Sequence, residues 1–135
     1  MAEPNDARQP GELKPVEITR SEDFQELYAN NVQFEISVWD LKLLLGLLDL
    51  RDGKERVEHH TSVSIPWPQV KLLSYYLQAN IAIHEIEEGV TRLPERLWPA
   101  APLPPPEETA ISKRAKEVLT KLRDAFIAEQ MRALG

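Results

Sequence analysis

The feature that most constrains this chain is a ten-residue segment, residues 41–50, in which seven positions are leucine. In a β-strand, successive side chains point to opposite faces, so these leucines would occupy both faces of a sheet. Burying one leucine side chain contributes about 1.5–3 kcal/mol to folding. We therefore expect both faces of this segment to need cover. The four leucines of one face are Leu41, Leu43, Leu45 and Leu47, and the three of the other face are Leu44, Leu48 and Leu50.

Leucine alone would favour a helix here by intrinsic propensity. Two neighbouring features favour a strand. Asp52-Gly53 follows directly and is typical of a two-residue hairpin turn, which needs a strand on each side. Gly46 would also weaken a helix of only ten residues. We therefore predict a strand.

Two flanking segments alternate strictly between apolar and polar residues, which is the pattern of half-buried strands. The first is residues 28–38 and the second is residues 57–65. Together with residues 41–50 they predict an antiparallel three-stranded meander. Their apolar positions are Tyr28, Val32, Phe34, Ile36 and Val38 in the first, and Val57, Thr61, Val63 and Ile65 in the second.

Residues 68–88 predict the one long helix of the domain. Proline is tolerated in a first helical turn, which suits Pro66 and Pro68, and Gly89 is placed to end the helix. The predicted fold class is therefore α+β, with a three-stranded antiparallel meander packed on one long helix in the order β-β-β-α. The helix carries two apolar stripes, one of Val70, Leu73, Leu77 and Ile81 and one of Leu72, Tyr76, Ile83 and Ile86.

Charge and proline content divide the rest of the chain. Residues 1–26 hold seven acidic and three basic side chains with little hydrophobicity, which predicts a disordered acidic arm. The β-β-β-α domain is assigned to residues 27–93. Residues 94–108 contain six prolines and predict an extended linker. Residues 109–135 form an amphipathic helical pattern with six basic and three acidic side chains.

Composition excludes several classes of protein and site. The chain has no cysteine, so it has no disulfide, thiolate zinc site or cysteine nucleophile. Its net charge of −6 argues against nucleic acid as a partner. The longest apolar run, residues 43–48, is far below the roughly 20 residues of a membrane span, and no secretory signal is visible. We expect a cytoplasmic protein that has no membrane or nucleic-acid partner.

The order of motifs resembles a bacterial family, Domain of Unknown Function 3467. The motifs are Tyr28-Ala29-Asn30 at the first strand, Asp40-Leu41 at the second, and Lys71, Leu77, Asn80 and Ile81 along the helix. The resemblance covers about residues 27–88 and implies the β-β-β-α order but no activity. The chain differs from the family where Leu44 replaces an acidic residue and where Pro66-Trp67-Pro68 replaces Thr-Pro.

Few residues are arranged for chemistry. No catalytic residue, metal site or cofactor is predicted. The adjacent His59 and His60 would point to opposite faces of a strand and cannot chelate one ion together. His84 with Glu87 and Glu88 has helical metal-ligand spacing but lacks the second histidine of a zinc-protease helix, so a solvated helix end is the preferred interpretation. Asn30 and Asn80 are interpreted as buried amides that bind backbone groups or set strand register, with a polar binding groove as the alternative.

Three tryptophans, Trp39, Trp67 and Trp98, mark a turn, the helix start and the linker, and we expect Trp98 to be the least involved in a core. For residues 109–135, three interpretations stay open: docking on its own or a sister domain, binding in another protein's groove, or contact with a membrane or nucleic acid.

The leading functional hypothesis is a non-enzymatic, homodimeric protein-interaction module, an adaptor or chaperone-like protein, with a possible protein partner at residues 109–135. The predicted interface is Leu44, Leu48, Leu50, Leu72, Tyr76 and Ile83, and the predicted polar structural or binding residues are Tyr28, Asn30, Lys71 and Asn80. The alternative is a small-molecule or metal-binding protein, or an enzyme, that uses His59, Asn30 and Asn80.

Overall fold

A computed structural model of the chain describes residues 15–134. Three strands form one antiparallel sheet in the order β1-β2-β3, and helices follow it, which confirms the predicted mixed α+β class. The elements are β1 Asn31–Ile36, β2 Asp40–Arg51, β3 Lys54–Pro66, α1 Trp67–Glu88, a short 3-10 helix Glu95–Leu97, and α2 Ala110–Leu134.

The leucine-rich segment is the central strand β2, as predicted. The turn after it has positive φ at both central residues, 53° at Asp52 and 74° at Gly53. Such a pair of positive φ values is required by a type I′ turn, whose twist matches that of the two strands. The Asp52-Gly53 turn therefore favours a strand for residues 41–50, and this effect outweighs the helical propensity of their leucines.

The pairing of β1 with β2 sorts the side chains by face. Phe34 lies opposite Leu43, and Val32 opposite Leu45, so these apolar residues share one face of the sheet. The other face has Gln33 opposite Leu44 and Glu35 opposite Lys42. The Lys42 ammonium lies 3.5 Å from the Glu35 carboxylate across the two strands. The face that carries Leu44 therefore has a polar border on β1.

β1 is shorter than the predicted alternation over residues 28–38, because it begins only at Asn31 and a turn starts at Ser37. The Ser37 N–H donates to the Asp40 carbonyl at 3.0 Å, and the Ser37 hydroxyl oxygen accepts from the N–H groups of Trp39 and Asp40 at 3.1 and 3.0 Å. The same hydroxyl donates to the Asp40 carboxylate at 2.8 Å. One serine therefore fixes the connection between β1 and β2.

Gly46, in the middle of β2, is the only buried residue in the described range 15–134. Its pairing partner on β1 is Asn31. On the other side, a Cβ atom at this position would overlap the Glu58 carbonyl oxygen and lie 2.9 Å from the His59 Cα. Gly46 therefore allows the backbone of β3 to approach β2 more closely than a side chain would permit.

Both long helices begin and end at residues that suit those positions. α1 has Pro68 in its first turn, and at its end Gly89 takes a φ of 92° while its N–H donates to the Glu85 carbonyl at 3.0 Å. At the start of α2, the side chains of Thr109 and Ser112 each accept from the other's backbone N–H, at 3.0 and 2.8 Å. This reciprocal arrangement satisfies backbone donors that the first turn leaves without helical partners.

The chain divides into two compact units, of which the first ends at Ile65 and the second begins at Pro66. The packing of the long helix on the sheet, and with it the 27–93 domain, stays a prediction. The predicted arm, residues 1–26, lies partly outside the described residues. Its described part, 15–26, contains no helix or strand, and there the Arg20 guanidinium lies 4.6 Å from the centre of the Phe24 ring.

Candidate interaction surface

Neither unit contains a buried hydrophobic side chain among residues 15–134. On β1, three apolar residues of one face stay exposed to solvent: Val32, Phe34 and Ile36, with Phe34 at 58%. Their partners on β2 are half-buried. Exposed apolar side chains that share one face of a sheet are a common feature of protein–protein interaction sites.

The turn between β1 and β2 extends this apolar area. Val38 and Trp39 form its tip, and Trp39 is 81% exposed. The hydrogen bonds of Ser37 hold the backbone of the turn, so the tryptophan is presented from an ordered connection. An exposed aromatic residue on an ordered turn is suited to anchor a protein partner.

The predicted interface residues all keep accessible surface. In the first unit, Leu44 and Leu48 are half-buried and Leu50 is 71% exposed. In the second unit, the three predicted residues of α1 are all exposed: Leu72, Tyr76 and Ile83. Among residues 15–134, therefore, none of the six is buried in a core. Their role at an interface stays a prediction.

Asn30 connects the segment before β1 to the backbone of β2. Its side-chain nitrogen donates to the Leu48 carbonyl at 3.2 Å, and its side-chain oxygen accepts from the Leu48 N–H at 2.6 Å. The residue is exposed, in contrast to the buried amide that we expected. The Asn30 side chain thus hydrogen-bonds both backbone groups of Leu48. It extends the hydrogen bonding between the two strands by one residue pair and fixes their register at Leu48.

Asn80 makes a more local contact. Its side-chain nitrogen donates to the Tyr76 carbonyl one turn earlier in α1, at 2.7 Å. The side chain is exposed, and so is Lys71, the other predicted polar residue of α1. The expectation of a buried amide is therefore wrong for Asn80 as well. The apolar stripes of α1 do not enclose position 80, because the stripe residues next to it, Leu77 and Ile81, are themselves exposed.

The two histidines of β3 differ in a way that sequence reasoning did not detect. His60 has its Nδ1 2.8 Å from the Thr61 hydroxyl and its Nε2 2.8 Å from the main-chain carbonyl of Tyr28. The ring of His59 is exposed. No pattern in the sequence indicates that the His60 ring reaches a residue 32 positions away.

No group of three or more histidine, aspartate or glutamate side chains within residues 15–134 is arranged to hold a metal ion. A shallow depression of about 220 Å³ lies near the β2–β3 turn and has a mixed lining: Leu47, Asp49, Arg51, Arg56, Glu58 and His60. Its charges are partly paired already, because the Arg51 Nε lies 2.9 Å from the Asp49 carboxylate. The depression therefore places Leu47 beside polar side chains of β3 and lacks a nucleophile with an aligned base.

The linker of the second unit is held by two side chains. The Trp98 indole N–H donates to the Leu93 carbonyl at 3.0 Å, and the Arg123 guanidinium of α2 donates to the Pro99 carbonyl at 2.9 Å. Trp98 is half-buried, whereas Trp39 and Trp67 are exposed. The expectation that Trp98 takes the smallest part in packing is therefore wrong, because its indole is half-buried and hydrogen-bonds to Leu93.

α2 keeps its apolar side exposed, with accessible side chains that include Ile111, Val118, Leu122 and Phe126. Among the described residues, none of the helices combines the length and hydrophobicity that crossing a membrane requires. An exposed apolar side next to basic residues leaves α2 available for binding. Its partner stays a prediction.

Comparison with family models, with curated proteins and with solved structures gave no match for this chain.

Proposed function

We propose that this chain is a non-enzymatic protein-interaction module that works as a homodimer in the bacterial cytoplasm, in an adaptor or chaperone-like role. The observation that carries the proposal is the lack of a buried hydrophobic side chain in either unit among residues 15–134. A sheet of three strands needs a covered apolar face to be stable in water. A second copy of the chain is the simplest source of that cover, because homo-oligomers with two-fold symmetry are the commonest assemblies.

The central strand gives the second line of support. Leu44 and Leu48 lie on the face of β2 opposite to that of Leu43 and Leu45. A layer that covers the face of Leu43 and Leu45 leaves the face of Leu44 and Leu48 accessible. At about 25 cal/mol per Å² of apolar area removed from water, covering this second face in a dimer is a substantial gain. On the first unit, the interface that we propose therefore consists of Leu44, Leu48 and Leu50. On the second unit, we propose the exposed residues Leu72, Tyr76 and Ile83 of α1 as contact residues.

α2 gives the proposed module its second binding element. The helix combines an exposed apolar side with six basic side chains against three acidic ones in residues 109–135. Such a helix suits a groove with an acidic rim, where its apolar side is buried and its lysines and arginines pair at the border. We propose that residues 109–135 recruit a protein partner.

The first test is the mass of the full-length protein in solution. Light scattering over a hundredfold range of concentration should give a particle larger than one chain of 15.4 kDa, and the urea midpoint should rise with concentration. A constant mass of one chain, with a midpoint independent of concentration, contradicts the proposal. A metal ion or metabolite that raises the melting temperature by several degrees would favour the alternative of a ligand-binding protein.

The second test addresses α2. Affinity capture with the full-length chain should enrich one protein, and the same capture with a chain that ends at residue 108 should lose it. A third form keeps the whole helix but replaces Lys113, Lys116 and Lys121 with glutamate. This variant retains helical propensity and removes the basic charge, so it tests the charge alone. Equal capture by all three forms contradicts a role for α2 in recruitment.

A further inference from the structure

The two edges of the sheet differ in how well they are protected. β1 and β3 are the edge strands, because β2 lies between them. Natural proteins block exposed edges with charged residues and proline. β3 is blocked in this way, since it begins with Lys54, Glu55 and Arg56 and ends at Pro66. β1 has the sequence NVQFEI, with Glu35 as its one charged residue and no proline. The β1 edge is therefore open to pairing.

The pairing of β1 with β2 determines which backbone groups face this open edge. The Ser37 N–H donates to the Asp40 carbonyl, so residue 37 directs its backbone groups toward β2. These directions alternate along an antiparallel strand. The register is unbroken over residues 31–36. The N–H and C=O groups of Val32, Phe34 and Ile36 therefore point away from β2, along the outer edge of the sheet.

We propose that β1 of one copy pairs in antiparallel fashion with β1 of a second copy, around a two-fold axis that passes beside Phe34. The proposal rests on the self-association proposed above. In this register Phe34 lies opposite its own copy, Val32 lies opposite Ile36, and Gln33 lies opposite Glu35. Each apolar residue meets an apolar residue and each carboxylate meets an amide, which is the self-complementarity that a two-fold contact requires.

A neighbouring register is less favourable. An axis beside Glu35 would place two glutamates directly opposite each other, and like charges in opposed positions destabilise a sheet. The axis beside Phe34 also uses the outward N–H and C=O groups of three residues on each chain. The product is a continuous six-stranded sheet whose exposed apolar face, with Val32 and Ile36, runs across the axis.

This edge contact is separate from the face of Leu44 and Leu48. A chain that has two different isologous contacts closes into an assembly of four copies when the two two-fold axes cross at right angles. With such axes, the edge pairing joins two of the homodimers proposed above into a dimer of dimers, in which each type of contact can be removed without the other.

Cysteine substitution tests the register directly, because the chain contains no cysteine. In Phe34→Cys the two facing residues would have Cα atoms about 5.5 Å apart, as in a hydrogen-bonded antiparallel pair, and this separation is within the range of a disulfide. Mild oxidation should shift most of this variant to twice its mass on a non-reducing gel. Val32→Cys is the matched control, since its two copies would be about 14 Å apart along the strands.

A second pair of variants removes any effect of losing the phenyl ring. Val32→Cys combined with Ile36→Cys should restore cross-linking, because residue 32 faces residue 36 of the other copy. Gln33→Cys combined with Glu35→Cys should also cross-link and alters only exposed polar positions. If neither Phe34→Cys nor the two double variants cross-link while the wild type self-associates in light scattering, the edge pairing is wrong and the proposed function is still supported. Cross-linking of Gln33→Cys or Glu35→Cys alone would overturn the axis beside Phe34.

The same cysteines separate the two contacts. In a Leu44→Glu/Leu48→Glu background, Phe34→Cys should still cross-link, because the edge does not use those leucines. Loss of cross-linking in that background, with the secondary structure intact by circular dichroism, would contradict an independent edge contact. A wild type that is monomeric at all concentrations contradicts the proposed function before any cysteine variant is made.

Discussion

The imidazole of His60 lies 2.8 Å from the main-chain carbonyl of Tyr28 and joins β3, at one edge of the sheet, to the segment that enters β1 at the other edge. A carbonyl oxygen only accepts, so the ring nitrogen Nε2 must carry the hydrogen. The contact spans the central strand, where Gly46 has no side chain and β3 approaches closely. The His60–Tyr28 contact therefore links the two edges of the sheet in the first unit.

Replacing His60 with alanine should therefore lower the free energy of unfolding by about 1 kcal/mol, the net value of a typical intramolecular hydrogen bond. Urea unfolding at a fixed protein concentration measures the change. His59→Ala is the matched control, because the neighbouring ring is exposed, and it should change stability by no more than about 0.5 kcal/mol. Equal losses of unfolding free energy in both variants would show that the hydrogen bond between His60 and Tyr28 does not stabilise the protein.

Gly46→Ala should destabilise the protein by about 1–3 kcal/mol, because the added methyl group overlaps the Glu58 carbonyl and β3 must move. Denaturant unfolding with circular dichroism measures the loss. Gly53→Asn is the control: it also removes a glycine from the sheet region, but its position is open and asparagine tolerates positive φ. We expect a nearly unchanged midpoint for Gly53→Asn, and a Gly46→Ala variant as stable as wild type would contradict the close approach.

The sequence predicted those parts of the fold that local chemistry determines. Asp52-Gly53 fixed the hairpin and Gly89 ended α1, since each acts on its immediate backbone. The His60–Tyr28 contact joins residues 32 positions apart, and the alternation of residues contains no information about such a long-range side-chain contact. The half-buried position of Trp98 has a similar cause: the proline content of residues 94–108 predicts an extended linker and contains no information on the hydrogen bond from the Trp98 indole to the Leu93 carbonyl.

The two asparagines should respond differently to alanine. Asn30→Ala removes both bonds to Leu48 and should cost about 1–3 kcal/mol at about 0.5–1.5 kcal/mol for each bond. Asn80→Ala removes one local bond on an exposed helix and adds a better helix former, so its stability should change by less than about 0.5 kcal/mol. Thermal melts of both variants at matched concentration measure this contrast. A large loss for Asn80→Ala would instead indicate that its side chain contacts a partner.

The proposed interface on β2 is tested by Leu44→Glu combined with Leu48→Glu. Both leucines are half-buried within one chain, and a carboxylate that an interface covers would lose its hydration without gaining a partner. We expect the assembly to lose mass in light scattering or to aggregate.

Ser62→Glu combined with Ser64→Glu is the charge-matched control for this prediction. These two residues are exposed positions of β3 in the same sheet, so two added carboxylates should stay hydrated there and leave the mass unchanged. If the leucine double variant keeps both the mass and the urea midpoint of the wild type, the face of β2 is not an interface. If the serine control dissociates as well, the effect is one of net charge, because added like charges repel each other across any contact between two copies.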